Sequence, residues 1–285
     1  MPTHHARDDA DTMLVLLPGS PVTPQSIELI RELTIFDAYM ARTRLCTQLP
    51  MVLGPCPRET LTGDNGDRME RVGIRFVGVS KAFLDQPVRP LPVTACQIES
   101  EFILVSNADG QERIFPVARP ILLLEGRYDI GRHRQNSDRR NESDRLMEAV
   151  LTPTPASTVD TGLRQVLFIY SKSTEHPAEL IDSRLDYSLL GQAKALTTAE
   201  NFRTLLDRMS ETFGSPIVRE MIRHSYALVP MAEDESHIES DSSPKSRGKK
   251  RDRHRSNRRI IRFMSRLLYC QWMRENGWTG RVFPD

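Results

Sequence analysis

The sequence predicts an α+β protein, a mixed or antiparallel sheet covered by helices, and three observations support that class. Short apolar runs rich in β-formers (MLVLLPG, VGIRFVGVS, QVLFIYS) are interleaved with amphipathic stretches of helical period. An Asp-Gly pair separates two further β-type runs, which is the mark of a hairpin. Near the end of the chain an apolar stripe at helical spacing follows a run of cations, so a basic amphipathic helix is expected to close the molecule.

Residues 1–12 are polar, carry His4 and His5, and are expected to be a disordered terminus. They lack the basic and then apolar order of a signal peptide. Met13 to Gly19 reads as a buried strand stopped by Pro18 and Gly19. Thr23 followed by Pro24 supplies a helix cap and first turn. Ile27, Ile30, Leu33, Phe36, Tyr39 and Met40 then recur at helical spacing, predicting one helix through Leu45. Gly, Pro, Asn, Asp and Thr accumulate from Gly54 to Asp67 and predict a loop, and Val72 to Ser80 predicts a strand.

The hairpin turns at Asn107-Ala108-Asp109-Gly110, where glycine tolerates the positive φ that the turn needs. Pro116 and Pro120 remove ladder donors, so the returning strand should be broken or at an edge. Residues 131–162 supply no core and read as an internal connection containing Arg132, Arg134, Arg139, Arg140 and Arg145. Gln165 to Ser171 predicts a buried strand. Helices are expected for PAELIDSRL, TAENFRTLLDRMSETF and SPIVREMIRHSYALV. The globular α+β domain therefore spans 13–230, with an acidic-to-basic disordered linker at 231–257 and the basic helix and tail at 258–285.

No apolar run approaches the roughly 20 residues needed to cross a bilayer, and an intracellular protein, cytoplasmic or nuclear, is expected. Cys46, Cys56, Cys96 and Cys270 are scattered, without zinc-ligand spacing, and read as reduced thiols; no metal or cofactor is expected. GxGxxG, GxxxxGK[ST], HExxH and GxSxG are all absent, which disfavours the familiar dinucleotide, P-loop, zincin and serine-hydrolase chemistries.

Charge is the main functional signal. The formal net charge of +1 hides eleven Lys/Arg and one acid, Asp252, between Lys245 and Arg266, against an acidic remainder. Clustered cations displace the counterions condensed on nucleic acid, so Lys249, Lys250, Arg251, Arg253, Arg255, Arg258, Arg259 and Arg262 are candidate phosphate contacts. With no DNA-reading motif in view, RNA is favoured over DNA, and the leading reading is a non-catalytic nucleic-acid-associated or ribonucleoprotein-assembly protein. KKRDRHR also has the basic density of a nuclear localisation signal.

Leu268, Tyr269 and Trp272 are candidate anchors for a protein partner, unless the terminal helix docks on its own body. The alternative function is an oligomeric scaffold or assembly protein, such as a viral particle component, whose tail binds that partner. Third comes an enzyme acting on an anionic small molecule near Lys172, Ser173, Thr174 and His176, where a strand ends and a helix is expected from Pro177. Glu99 and Glu101 are a carboxylate pair expected on one strand face, of the kind that acid-base catalysis or metal binding uses.

Overall fold

The computed structural model describes residues 11–86, 88–129, 163–172, 176–224 and 257–283. They form an α+β structure of three sheets, held together by the last helix.

The first sheet has strand order β2-β1-β3, from β1 (Thr12–Leu16), β2 (Met51–Pro55) and β3 (Phe76–Ser80), with β1 antiparallel to both neighbours, and the short helix α5 (Lys81–Asp85) follows β3. Its outer face packs on α1 (Pro24–Leu33), α2 (Ala38–Leu45), α3 (Arg58–Thr62) and α4 (Asp64–Arg71) through Leu14, Leu16, Phe76, Leu29, Ile30, Leu45, Leu61 and Met69.

Thr23 caps α1 as expected, in a reciprocal capping box with Ser26. The single helix predicted through Leu45 is nevertheless two. The Thr34 hydroxyl donates to the Ile30 carbonyl, its backbone turns extended, and Asp37 restarts the chain by accepting from the Met40 N–H. A competing local cap thus overrode the apolar period, leaving Ile35 and Tyr39 exposed. The loop expected from Gly54 to Asp67 is mostly helix. Leu61 and Met69 are buried there, and Gly66 sits where a Cβ would lie 1.9 Å from the Leu61 carbonyl oxygen.

The second sheet has order β11-β8-β9-β10-β4, from β4 (Leu91–Val93), β8 (Ile121–Asp129), β9 (Leu163–Ser171), β10 (Ala178–Ile181) and β11 (Ile217–Val218). β9, the predicted buried strand, lies at its centre between antiparallel β8 and β10. PAELIDSRL was expected to be helical. Its first half is instead strand β10, all four residues buried, and Asp182–Arg184 is a 3-10 turn. Burial between β9 and β4 decided this, since four residues are too few for periodicity to distinguish strand from helix. β5 (Ala95–Ile98), β6 (Phe102–Ser106) and β7 (Glu112–Pro116) make the third sheet, all antiparallel.

The β6–β7 turn is the predicted hairpin. Gly110 has φ +77°, and the Asn107 side-chain oxygen accepts from the N–H groups of Asp109 and Gln111. Pro116 ends β7 at a sheet edge, where no neighbouring strand needs its missing donor. This third sheet and α6 (Thr198–Phe213) cover one face of the second sheet, through Ile103, Val105, Phe115, Phe202, Leu205 and Met209. Of SPIVREMIRHSYALV the described residues, 215–224, hold strand β11 and the one-turn helix α7 (Glu220–Arg223); 225–229 lie outside the described residues.

The last helix, α8 (Arg258–Glu275), fills the space between the first two sheets. Its Ile260, Ile261, Met264, Leu267, Leu268 and Tyr269 meet Val15, Val77 and Val79 from one sheet and Leu122, Leu124, Val166 and Phe168 from the other. Behind it, Val282 bridges to Gly78, and Arg281 pairs with Asp67 at 2.5 Å and Glu70 at 2.7 Å. Of the two alternatives left open for the terminal helix, docking on its own body is the one observed, and the helix is the layer shared by the first two sheets.

Candidate functional site

Arg258 and Arg262 stand four residues apart, so they share one face of α8. That face meets Glu179 on β10, whose side chain is fully buried. Arg262 grips the carboxylate with two parallel bonds, Nε to Oε1 at 2.8 Å and Nη2 to Oε2 at 2.7 Å. Arg258 adds a third at 2.8 Å and lies 5.2 Å above the Tyr128 ring. The Tyr128 hydroxyl donates a short hydrogen bond to the same carboxylate. Burial pushes the Glu179 carboxyl up, but Arg262, Tyr128 and Arg258 together outweigh it and hold it below the usual carboxylate range. Burial also pushes the Tyr128 phenol up, so it stays protonated as a donor. This cluster fastens α8 to the second sheet.

Arg266 is the largest wholly buried side chain. It donates to the carbonyls of Phe83 and Gln86 and lies 4.5 Å above the Phe83 ring. Its neighbour in sequence, Ser265, and the Tyr170 hydroxyl are hydrogen bonded at 2.8 Å. Three cations of the basic run, Arg258, Arg262 and Arg266, are thus committed to structure. Arg259 lies on the exposed side of α8. Lys249, Lys250, Arg251, Arg253 and Arg255 lie outside the described residues. Leu268 and Tyr269, candidate anchors for a partner, are 5% and 4% exposed in the chain's own core; Trp272 is half-buried against it. Tyr269 stacks on Tyr170 with ring centroids 4.7 Å apart.

Strand β10 rather than a helix follows Pro177, so the expected helix N-terminus does not stand beside Lys172 and His176. The Lys172 ammonium donates to the Asn276 carbonyl at 2.5 Å, capping the end of α8, and the His176 carbonyl accepts from Arg113. Ser173 and Thr174 lie outside the described residues. Glu99 and Glu101 do not share a strand face either: both are exposed in the turn between β5 and β6.

Glu99 instead rims a cleft of about 450 Å³ between β5 and α6, with Cys96, Gln97, Ile98, Leu189, Arg208, Glu211 and Thr212. Burial, aided by Asp186, pushes the Cys96 thiol up to about 12, so it is not a nucleophile at neutral pH. All four cysteines are free, and among the described residues no group of His, Cys, Asp and Glu is placed to hold a metal ion. No helix there is long and apolar enough to cross a membrane.

The cluster on Glu179 escaped sequence reasoning, because one glutamate in PAELIDSRL carries no mark of its future burial. The i, i+4 arginines were visible, but not their partner. The chain matches no family model, no curated protein and no solved structure.

Proposed function

We propose that the chain is a non-catalytic, intracellular nucleic-acid-associated protein, with RNA preferred to DNA, that grips phosphates through the basic segment ahead of α8. One observation carries this reading: the eleven residues 245–255 contain seven Lys/Arg and a single acid. Such a density gives sequence-independent affinity by counterion release. Two features of the fold support it. Asn257, two residues after the segment, donates to the Arg127 carbonyl at 3.3 Å, so the chain that follows the segment is fixed on the body. Arg258, Arg262 and Arg266 serve the fold, so the proposed phosphate contacts fall on residues 245–255.

The test compares the full chain with a variant whose seven cations in 245–255 are replaced by serine, titrating single-stranded RNA and duplex DNA at several salt concentrations. Truncation is unsuitable because it removes α8 and with it the core. On single strands each phosphate neutralised contributes about −0.7 to the slope of log affinity against log salt, so seven contacts give about −5. The variant should lose most of that slope. Failure of the full chain to bind either nucleic acid would overturn the reading.

A further inference from the structure

β5 is an edge strand of the third sheet, with a helix beside its open side. The Glu99 N–H donates to the Phe102 carbonyl, and Gln97 stands opposite Leu104. In the alternation of an antiparallel ladder Gln97 and Glu99 therefore face β6, while Cys96 and Ile98 turn their N–H and C=O groups away from it. On that outer side the Asp186 N–H takes the Thr94 carbonyl at 2.8 Å. Past Thr94, no backbone group of the described residues pairs with Cys96 or Ile98 there, and the edge opens on the cleft of about 450 Å³ against α6.

The lining suits an extended chain. Cys96 and Ile98 turn their side chains inward to pack on the core under α6, whereas Gln97 is exposed on the other face, where its amide donates to Glu99 at 2.8 Å. Arg208, Glu211 and Thr212, three and four residues apart, present one face of α6 to the cleft, and Leu189 of the 3-10 segment Ser188–Ala193 completes it. The half-buried Arg208 donates to the Leu189 carbonyl at 3.4 Å. Glu99 and Glu211, both exposed, outnumber it, so the rim favours a basic ligand over an acidic one. At the opposite edge of the same sheet, β7 carries Glu112 and Pro116, which discourage pairing with another chain; the ACQI of β5 carries neither a charge nor a proline.

We propose that this cleft binds an extended peptide of a protein partner, which adds to β5 as an antiparallel strand between β5 and α6. Cys96 and Ile98 each exchange two backbone hydrogen bonds with one peptide residue. The side chains of those two peptide residues lie on the same face as Cys96 and Ile98, enter the cleft and are apolar. The residue between them stands opposite Gln97, within reach of Glu99 on the diagonal, and is basic. The cleft's volume falls inside the range of about 300–1,000 Å³ usual for ligand sites. This proposal does not depend on the nucleic-acid reading; it adds a protein partner to it.

The experiment titrates the isotope-labelled full chain with the peptide acetyl-Thr-Val-Lys-Val-Thr-amide and follows the backbone amide resonances. Saturable shifts are expected in β5 and at Arg208, Glu211 and Thr212. N-methylation of either valine removes a donor aimed at β5 and should weaken binding about tenfold, whereas N-methylation of the lysine, whose N–H points away, should change it by less than about twofold. Ile98→Pro removes an outward donor of β5 without touching its ladder with β6, and should weaken binding about as much as a methylated valine. Should that variant fail to fold, Thr212→Trp, which fills the cleft from α6, should abolish binding.

The absence of saturable shifts at these positions up to millimolar peptide would overturn the proposal. Equal effects from methylation at valine and at lysine would also overturn it, since they would mean apolar docking without strand pairing. Neither result bears on the binding of nucleic acid, which is read separately by the salt titration.

Discussion

Glu179 shows most sharply how much one side chain decides. A buried carboxylate is tolerated only because Arg262, Arg258 and Tyr128 saturate it, and removing its charge would leave two guanidiniums facing an amide. Glu179→Gln is expected to cost about 3–5 kcal/mol in denaturant unfolding. Because its folded pKa lies below the ordinary carboxylate value of about 4.3, its stabilisation is complete above that value and is lost as pH falls through the folded pKa. Thermal midpoints measured from pH 6 down to 2 should therefore fall more steeply for the native chain than for the glutamine variant; parallel curves would contradict the assignment. Gly66 is a second decisive residue. A Cβ there would collide with the Leu61 backbone, so Gly66→Ala should destabilise by about 1–3 kcal/mol despite alanine's better helix propensity. A neutral or stabilising alanine would show that α3 and α4 can shift apart.

Among the elements, α8 has the largest consequence. It buries an apolar face on both sides, against the first sheet and against the second, so neither sheet keeps its cover without it. A chain ending at residue 256 should lack a cooperative unfolding transition and near-ultraviolet dichroism. Retention of both would mean that the sheets can close on each other. Leu267→Ala, at a position 1% exposed, should cost about 2–5 kcal/mol in the intact chain. α1 and α2 teach a different lesson. Their apolar spacing is continuous, yet the Thr34 and Asp37 side chains bond to local backbone and divide them.

For the whole molecule, the layers run from α1–α4 through the first sheet, α8 and the second sheet to α6 with the third sheet. With α8 shared between the sheets, far- and near-ultraviolet probes should report one coincident thermal transition; two separated transitions would mean that the halves fold independently. What the sequence by itself determined was local. The α+β class, β1, β9, the Asp109-Gly110 hairpin, the Thr23 cap and the amphipathic terminal helix all rest on periodicity or turn chemistry acting over a few residues. The uneven charge was legible in the same way, since it is a property of the chain. Tertiary structure alone decided that AELI is a strand, that Lys172 donates to the carbonyl at the end of α8, and that Arg258, Arg262 and Arg266 hold the core together. It also decided that the stripe of α8 faces its own sheets. The physical reason is common to these cases: a short run or a lone charged side chain takes its role from what is buried against it, and for the arginines of α8 those partners lie 79 to 180 residues away in the chain.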